Sequence, residues 1–422
     1  MRVAGWIAAW VLAVPVSDTA GQATVESALR RDVQVLSADS LGGRFTGSPG
    51  GDAAARYLAW RFEEAGAKPA PGGWLHEFTM PADLAGFRSL PPDRRPTRAA
   101  NVVALVPGTD PELQNEYVVV GAHYDHLGDG HANSLGTPGE IHNGADDNAS
   151  GTAALLDIAR RFAAAPAKRT VVLVAFSGEE FGLLGSAAYV RSAPVSMERT
   201  VAMVNLDMVG RLRNDRLLVF GSETATEFPA LLDSLNGTHR FDLHYSGDGF
   251  GRSDQQSFYL ARKPVLHMFT DLHEDYHRPS DDWDKINLPG LVRVAAYTTD
   301  VVRAIADRRT PLTFVMGAPP AHSGAAAAPV SAGYGAYLGS IPDMGSGGPG
   351  VRLSGVRPGS PADQAGLAEG DVLLRIGDFE IADLQAMTDA LRSYKPGESA
   401  VVRYRRGADE RSTTVVFGRR GG

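Results

Sequence analysis

Four short apolar runs constrain the fold more than anything else in this chain: Tyr117 to Gly121 (YVVVG), Val171 to Phe176 (VVLVAF), Val201 to Leu206 (VAMVNL) and Pro264 to Thr270 (PVLHMFT). None shows the alternation of a half-exposed strand, so each reads as a strand covered on both faces. Between them lie helical patterns at 151–165, 181–193 and 227–236, and a further one at 52–66 ends on Gly66, a usual residue just past a helix. Strand alternating with helix predicts an α/β domain with a mostly parallel central sheet flanked by helices.

With 422 residues, 43% of them hydrophobic, the chain is long enough for one large core and a smaller unit. Residues 1–23 carry Arg2, an apolar run from Val3 to Val16 and small residues up to Ala23, the layout of a cleaved signal peptide and too short a run for a membrane span. A periplasmic or secreted protein without a membrane span after signal removal is therefore expected. The Ala, Pro, Gly and Ser-rich stretch 317–333 reads as a linker. It separates an expected domain at 24–316 from a second at 334–422, where Ser360 before Pro361 starts one helix, Asp383 starts another, and VVRYRR and TTVVF read as strands. The net charge of -8 lacks the basic footprint of a nucleic-acid binder.

Ligands of open α/β sheets gather beyond the carboxyl ends of the strands. Here those positions are crowded with metal-binding groups: His123 and Asp125 after the first run, Glu179 and Glu180 after the second, Asp207 after the third, and the paired Asp146 and Asp147 of GADDNASG. Any one of them has an ordinary structural reading, as a helix cap, a first-turn acid or a core histidine. Together they do not, because several carboxylates buried side by side would be driven to protonate unless a cation neutralised them. The chain has no cysteine, so the ligands must be His and carboxylate, which suits Zn²⁺, with Mn²⁺ or Co²⁺ as the lesser alternatives. A carboxylate shared by two ions would account for the doubled aspartate. The last ligand lies in LHEDYHRPSDDWDKI, where spacing does not choose between His273 and His277.

HYDH, GADDNASG, SGEE, NLDMVG and EDYHRPSDDWDKI, in this order over roughly residues 30–308, resemble the motifs of the family 28 metallopeptidases, the zinc aminopeptidases of bacterial leucyl aminopeptidase type. The resemblance implies a zinc aminopeptidase sandwich fold and two Zn²⁺ per chain, with Asp146 bridging, His123 and Asp207 completing one site, and Glu180 and His277 the other. It further implies Glu179 as general base for a metal-bridging hydroxide, Asp125 as the carboxylate that orients His123, and a cis peptide between Asp146 and Asp147. The expected function is hydrolysis of N-terminal residues from peptide or protein substrates. The alternatives are a carboxypeptidase or dipeptidase on the same site, for which Arg211 and Arg252 could hold a terminal carboxylate, or a non-catalytic peptide-binding scaffold. Gln255 stands where relatives often carry His, which bears on substrate positioning.

GYGAYLGSIPDM followed by GVRPGSPADQAGLAEGDVLLRIGDFEI resembles a β-rich PDZ domain, with Tyr337 to Ser340 matching the carboxylate-binding loop. That resemblance implies a peptide ligand added as a strand to the sheet edge.

Overall fold

The computed structural model describes residues 19–81, 95–130, 134–137, 139–250, 253–316, 336–342, 350–357, 359–382 and 384–418. The expected linker and Asp383 lie outside the described residues, as does the expected signal peptide up to residue 18. Residues 19–23 open the first helix.

Among the described residues, nine strands form one sheet: β1 (Lys68–Pro69), β2 (Leu75–Thr79), β3 (Arg98–Val106), β4 (Tyr117–His123), β5 (Thr170–Phe176), β6 (Thr200–Leu206), β7 (Arg216–Phe220), β8 (Asp242–Ser246) and β9 (Val265–Phe269). Their order is β1-β3-β5-β4-β6-β9-β7-β8, with β2 also paired to β3. The four apolar runs are β4, β5, β6 and β9, and they make a parallel centre in the order β5-β4-β6-β9. The flanks depart from the parallel expectation, since β3 runs antiparallel to β5 and β7 antiparallel to β9. The helices are α1 (Thr19–Leu36), α2 (Pro49–Glu64), α3 (Gly151–Ala164), α4 (Leu184–Arg191), α5 (Phe228–His239), α6 (Gln255–Leu260) and α7 (Leu288–Asp307).

Both faces of the parallel centre are covered, which is why its strands carry no polar alternation. Val118, Val120, Val204 and Leu266 share one core with Leu29 and Val33 of α1, with Leu155, Ile158 and Phe162 of α3, and with Val294, Val301 and Ile305 of α7. Val119, Val172, Val174, Met203 and Val265 pack against Tyr189 of α4 and Phe258 and Tyr259 of α6. Alternate residues of β4 thus serve two cores. Helix α2 starts where Ser48 accepts a hydrogen bond from the Gly51 amide at 3.1 Å, with Pro49 in the first turn. It is anchored by Asp32 of α1, whose buried carboxylate receives Arg61 Nε at 2.8 Å and Nη2 at 3.0 Å, and the Tyr57 hydroxyl at 2.6 Å. The helical pattern expected over 181–193 is shortened to α4, because Gly182 and Leu183 both take positive φ and keep residues 178–183 as a turn.

A second sheet has its own core. It comprises β10 (Ser340–Pro342), β11 (Val351–Val356), β12 (Val372–Ile376), β13 (Phe379–Glu380), β14 (Ser399–Arg406) and β15 (Asp409–Val416), with α8 (Pro361–Gln364) and α9 (Leu384–Ser393). Ser360 caps α8 by accepting from the Asp363 amide at 3.2 Å. Leu353, Leu373, Ile376, Val402 and Val415 form the centre of this core.

Candidate metal centre

Strand register brings the acidic groups together. His123 ends β4 opposite Phe176, the last residue of β5, so the turn bearing Glu179 and Glu180 begins at the same level. Gly121 pairs with Asn205 of β6, which puts Asp207 two residues on, level with His123. The segment 271–287 after β9 delivers His273 and His277, and residues 145–150 before α3 deliver the paired aspartates.

Five side chains converge. His123 Nε2 lies 3.3 Å from Asp147 Oδ1 and 3.3 Å from Asp207 Oδ1. His277 Nε2 lies 3.2 Å from Asp147 Oδ2 and 3.3 Å from Glu180 Oε2. Asp147 therefore shows one oxygen to each histidine and stands between two donor groups. Donors about 2.0–2.1 Å from one tetrahedral zinc lie about 3.3 Å from each other, so the spacing on both sides of Asp147 fits an ion. His123, Asp147 and Asp207, and likewise His126, Asp147 and Glu180, are buried sets of metal-binding atoms.

The expectation that Asp146 is the shared carboxylate is corrected by this geometry. Asp146 Oδ1 turns away from the histidine pair to accept from the Gly210 amide at 2.7 Å and the Ser150 hydroxyl at 3.0 Å, and Oδ2 lies 3.1 Å from His273 Nε2. Consecutive residues of this turn point opposite ways, so a slip of one position exchanges a metal-facing carboxylate for a structural one. The cis peptide is likewise Asp147–Asn148 and not Asp146–Asp147. His273, left open by spacing, belongs to Asp146, and His277 reaches the centre.

Other residues hold this turn in place. Asp281 Oδ2 accepts from both the Asp146 amide at 2.9 Å and the Asp147 amide at 3.0 Å. Asn148 donates to the Leu206 carbonyl at 2.9 Å and accepts from the Met208 amide at 3.2 Å, which fastens the turn to the end of β6 beside Asp207. Ser253 donates to Asp207 Oδ2 at 2.7 Å and accepts from Asn205 Nδ2 at 2.8 Å. Gln255 is buried behind this chain, its Oε1 3.3 Å from Asn205 Nδ2, so the departure at this position acts on the support of Asp207. Asp125 accepts from Thr46 Oγ1 at 2.6 Å and from the Glu179 amide at 3.2 Å. The group nearest His123 Nδ1 is the Asp125 backbone carbonyl at 3.1 Å, with its carboxylate at 3.8 Å, so both parts of Asp125 face the ring. Of these supports, Asp125 and Gln255 stood out in the sequence. Asn205 and Asp281 lie inside the NLDMVG and EDYHRPSDDWDKI motifs but are ordinary polar residues there, and nothing in the sequence marked Ser253.

Electrostatics follow from burial and crowding. Burial alone would raise the Asp147 carboxyl, but hydrogen bonding to His123 and the charge of His126 and His277 hold it well below the usual range. Glu180, opposed by burial and favoured by His277, is lowered to about 2. Glu179 goes the other way: burial, and then Glu180, Asp207 and Asp254 against the pull of His123, push it well above the ordinary carboxylate range. Burial disfavours charge on His123 and His277, yet Asp207 and Glu179 on one side and Glu180 and Asp147 on the other raise both rings well above the usual histidine value. The carboxylates around both imidazoles thus favour positive charge in this pocket.

Arg211, considered for a substrate carboxylate, is engaged with Asp275 at 2.5 Å and lies 3.6 Å from Asp281. Arg252 lies outside the described residues.

Residues 101–302 match peptidase family M28 and residues 334–416 match the PDZ domain. A probable zinc metalloprotease from Pyrenophora tritici-repentis is 33% identical over 190 residues, 44% of this chain and 41% of that protein. Aminopeptidase YwaD of Bacillus subtilis is 36% identical over 96 residues, 22% of this chain and 18% of that protein. The chain thus spans less than half the length of these relatives. Among solved structures, a zinc aminopeptidase from Bacillus subtilis superimposes with a TM-score of 0.54 at 16% identity, covering 68% of this chain and 98% of that one. The aminopeptidase from Aneurinibacillus sp. strain AM-1 gives 0.51 at 20%, covering 70% and 96%. At such identities the likeness is one of fold, and it agrees with the mixed sheet flanked by helices. The family likeness is carried by the sequence match: over residues 101–302 this chain is similar to peptidase family M28, and over residues 334–416 to the PDZ domain.

Proposed function

We propose that the chain is an exported aminopeptidase that uses two zinc ions to remove N-terminal residues from peptides. The observation that carries this reading is the Asp147 carboxylate, one oxygen 3.3 Å from His123 and the other 3.2 Å from His277, each histidine a similar distance from a second carboxylate. His123, Asp147 and Asp207 would hold one ion, and Asp147, Glu180 and His277 the other. Bound there, paired divalent cations supply Lewis acidity, which acidifies water and polarises a peptide carbonyl. Glu179 accepts the proton of the attacking water and returns it to the leaving amine. Its carboxyl is raised well above its ordinary range by burial and by neighbouring acids, which suits a group that must both take and release a proton. Asp125, between the His123 ring and the Glu179 amide, keeps ligand and base in register.

An excess of carboxylates suits a free α-ammonium better than a terminal carboxylate, and the engagement of Arg211 with Asp275 removes one cation that a carboxypeptidase reading would use. The PDZ domain would take a peptide as a strand on the edge formed by β10, the terminal strand of its sheet. The test is an aminoacyl p-nitroanilide against an N-blocked dipeptide with a free carboxyl terminus, each with and without chelator. Chelator-sensitive cleavage of the first alone is expected. Cleavage of the second alone would overturn the aminopeptidase assignment, and metal-free purified protein that cleaves neither would favour a peptide-binding scaffold.

A further inference from the structure

Resting on the two-zinc reading, we propose that His126 is a positioning residue that holds Glu180 so that only one of its oxygens is offered on the His277 side. His126 closes the HYDH motif and is wholly buried. Its Nδ1 donates to Glu180 Oε1 at 2.8 Å, while His277 Nε2 lies 3.3 Å from the other oxygen, Oε2. The two oxygens of one carboxylate are thus divided between two histidines.

The distances separate the roles of those rings. His277 sits at 3.2 and 3.3 Å from its two carboxylates, the spacing of donors that share an ion. His126 sits at 2.8 Å from Glu180 and 3.9 Å from Asp147, which is a direct N–H···O bond on one side and a gap on the other. Donors of one tetrahedral zinc do not approach to 2.8 Å when each is about 2.0–2.1 Å from the metal, so His126 acts on the ligand rather than on the ion.

The ring is also wedged. It meets the His277 ring edge to face, with centroids 5.9 Å apart. On its other side Gly144 has φ +55°, and a Cβ there would fall 2.5 Å from His126 Cδ2 and 2.1 Å from the Asp147 carbonyl oxygen. Only glycine lets the backbone before Asp147 pass this ring. With Nδ1 carrying the proton given to Glu180, Nε2 is buried without a hydrogen-bond partner among the described residues. By fixing one oxygen of Glu180, His126 removes the freedom of that carboxylate to swing away or to chelate through both oxygens, and groups in this position commonly set metal affinity by about 10–100-fold.

The test is titration of the full-length metal-free chain with Zn²⁺ against a chromophoric chelator, in the natural sequence and in an Asp207→Asn background that leaves only the Glu180 side intact. H126L, which fills the space without a donor, should lose about 10–100-fold in that one affinity and leave the His123 side unchanged. H126N, whose amide nitrogen falls where Nδ1 was, should retain most of it. Unchanged zinc affinity in H126L would overturn the proposal, and so would equal losses in H126L and H126N, the result expected of a direct ligand. Should H126L fail to fold, H126Q replaces it: its longer side chain misplaces the amide, so affinity equal to that of H126N would overturn the proposal. A natural-sequence chain that binds fewer than two ions would instead overturn the two-zinc reading.

Discussion

Replacing Asp147 and Asp146 one at a time separates the two carboxylates that the sequence makes look equivalent. Asp147 is buried and presents Oδ1 and Oδ2 to different histidines at 3.3 and 3.2 Å, so Asp147→Asn keeps an acceptor on one side at most and places an amide NH₂ against the other. The shared negative charge is lost from both sides. Removing one partner of a buried charge pair costs about 3–5 kcal/mol, and each 1.4 kcal/mol is about tenfold in affinity, so zinc binding should weaken by about 10²–10⁴-fold. Asp146→Asn should do something different. An amide oxygen still accepts from Gly210 and Ser150, and only the contact of Oδ2 with His273 at 3.1 Å changes, a loss of about 1–3 kcal/mol felt as stability. The assay is zinc content after dialysis against buffered free zinc, alongside thermal unfolding of the metal-free chains. An Asp146→Asn protein stripped of zinc beside an Asp147→Asn protein that retained it would refute the assignment.

On the proposed two-zinc reading, in which Glu179 carries a proton and holds no ion, Glu179→Gln should keep its zinc content and lose about 10²–10⁴-fold in turnover; activity within tenfold of the parent would contradict that role. Zinc binding should release protons. His123 and His277 are disfavoured as cations by burial but raised well above the usual histidine value by the surrounding carboxylates, so near neutral pH both rings hold protons that ligation must expel. Affinity should therefore rise with pH through the neutral range, and calorimetry in buffers of different ionisation enthalpy should show the release; heats independent of buffer at pH 7 would contradict it. Asp32→Asn should cost about 1–3 kcal/mol of stability, because Arg61 keeps Glu64 as a partner but loses its charged bidentate acceptor on α1, and a urea-unfolding change below about 0.5 kcal/mol would show that the α1 to α2 anchor is not needed.

Which parts of this molecule could be read from sequence depends on the length scale at which each is encoded. The parallel centre was legible because burial on both faces leaves β4, β5, β6 and β9 as unbroken apolar runs, a signal contained within each strand. The antiparallel flanks were not, because strand direction at an edge is settled by pairing partners such as Val103 with Val174 and Val219 with Met268, which lie far apart in the chain. In the same way, the clustering of His123, Glu179, Glu180 and Asp207 could be foreseen from strand ends. The choice of Asp147 over Asp146 could not, since it rests on which way successive side chains leave one turn. That direction is set by Asp281 gripping both amides from 134 and 135 residues away and by Asn148 pinning the turn to Leu206 and Met208. Spacing in a motif identifies the kind of donor a site needs. The individual donor is chosen by supports such as Asp281, Asn148 and Ser253, and a substitution in those supports should move metal affinity as surely as one in the ligands they hold.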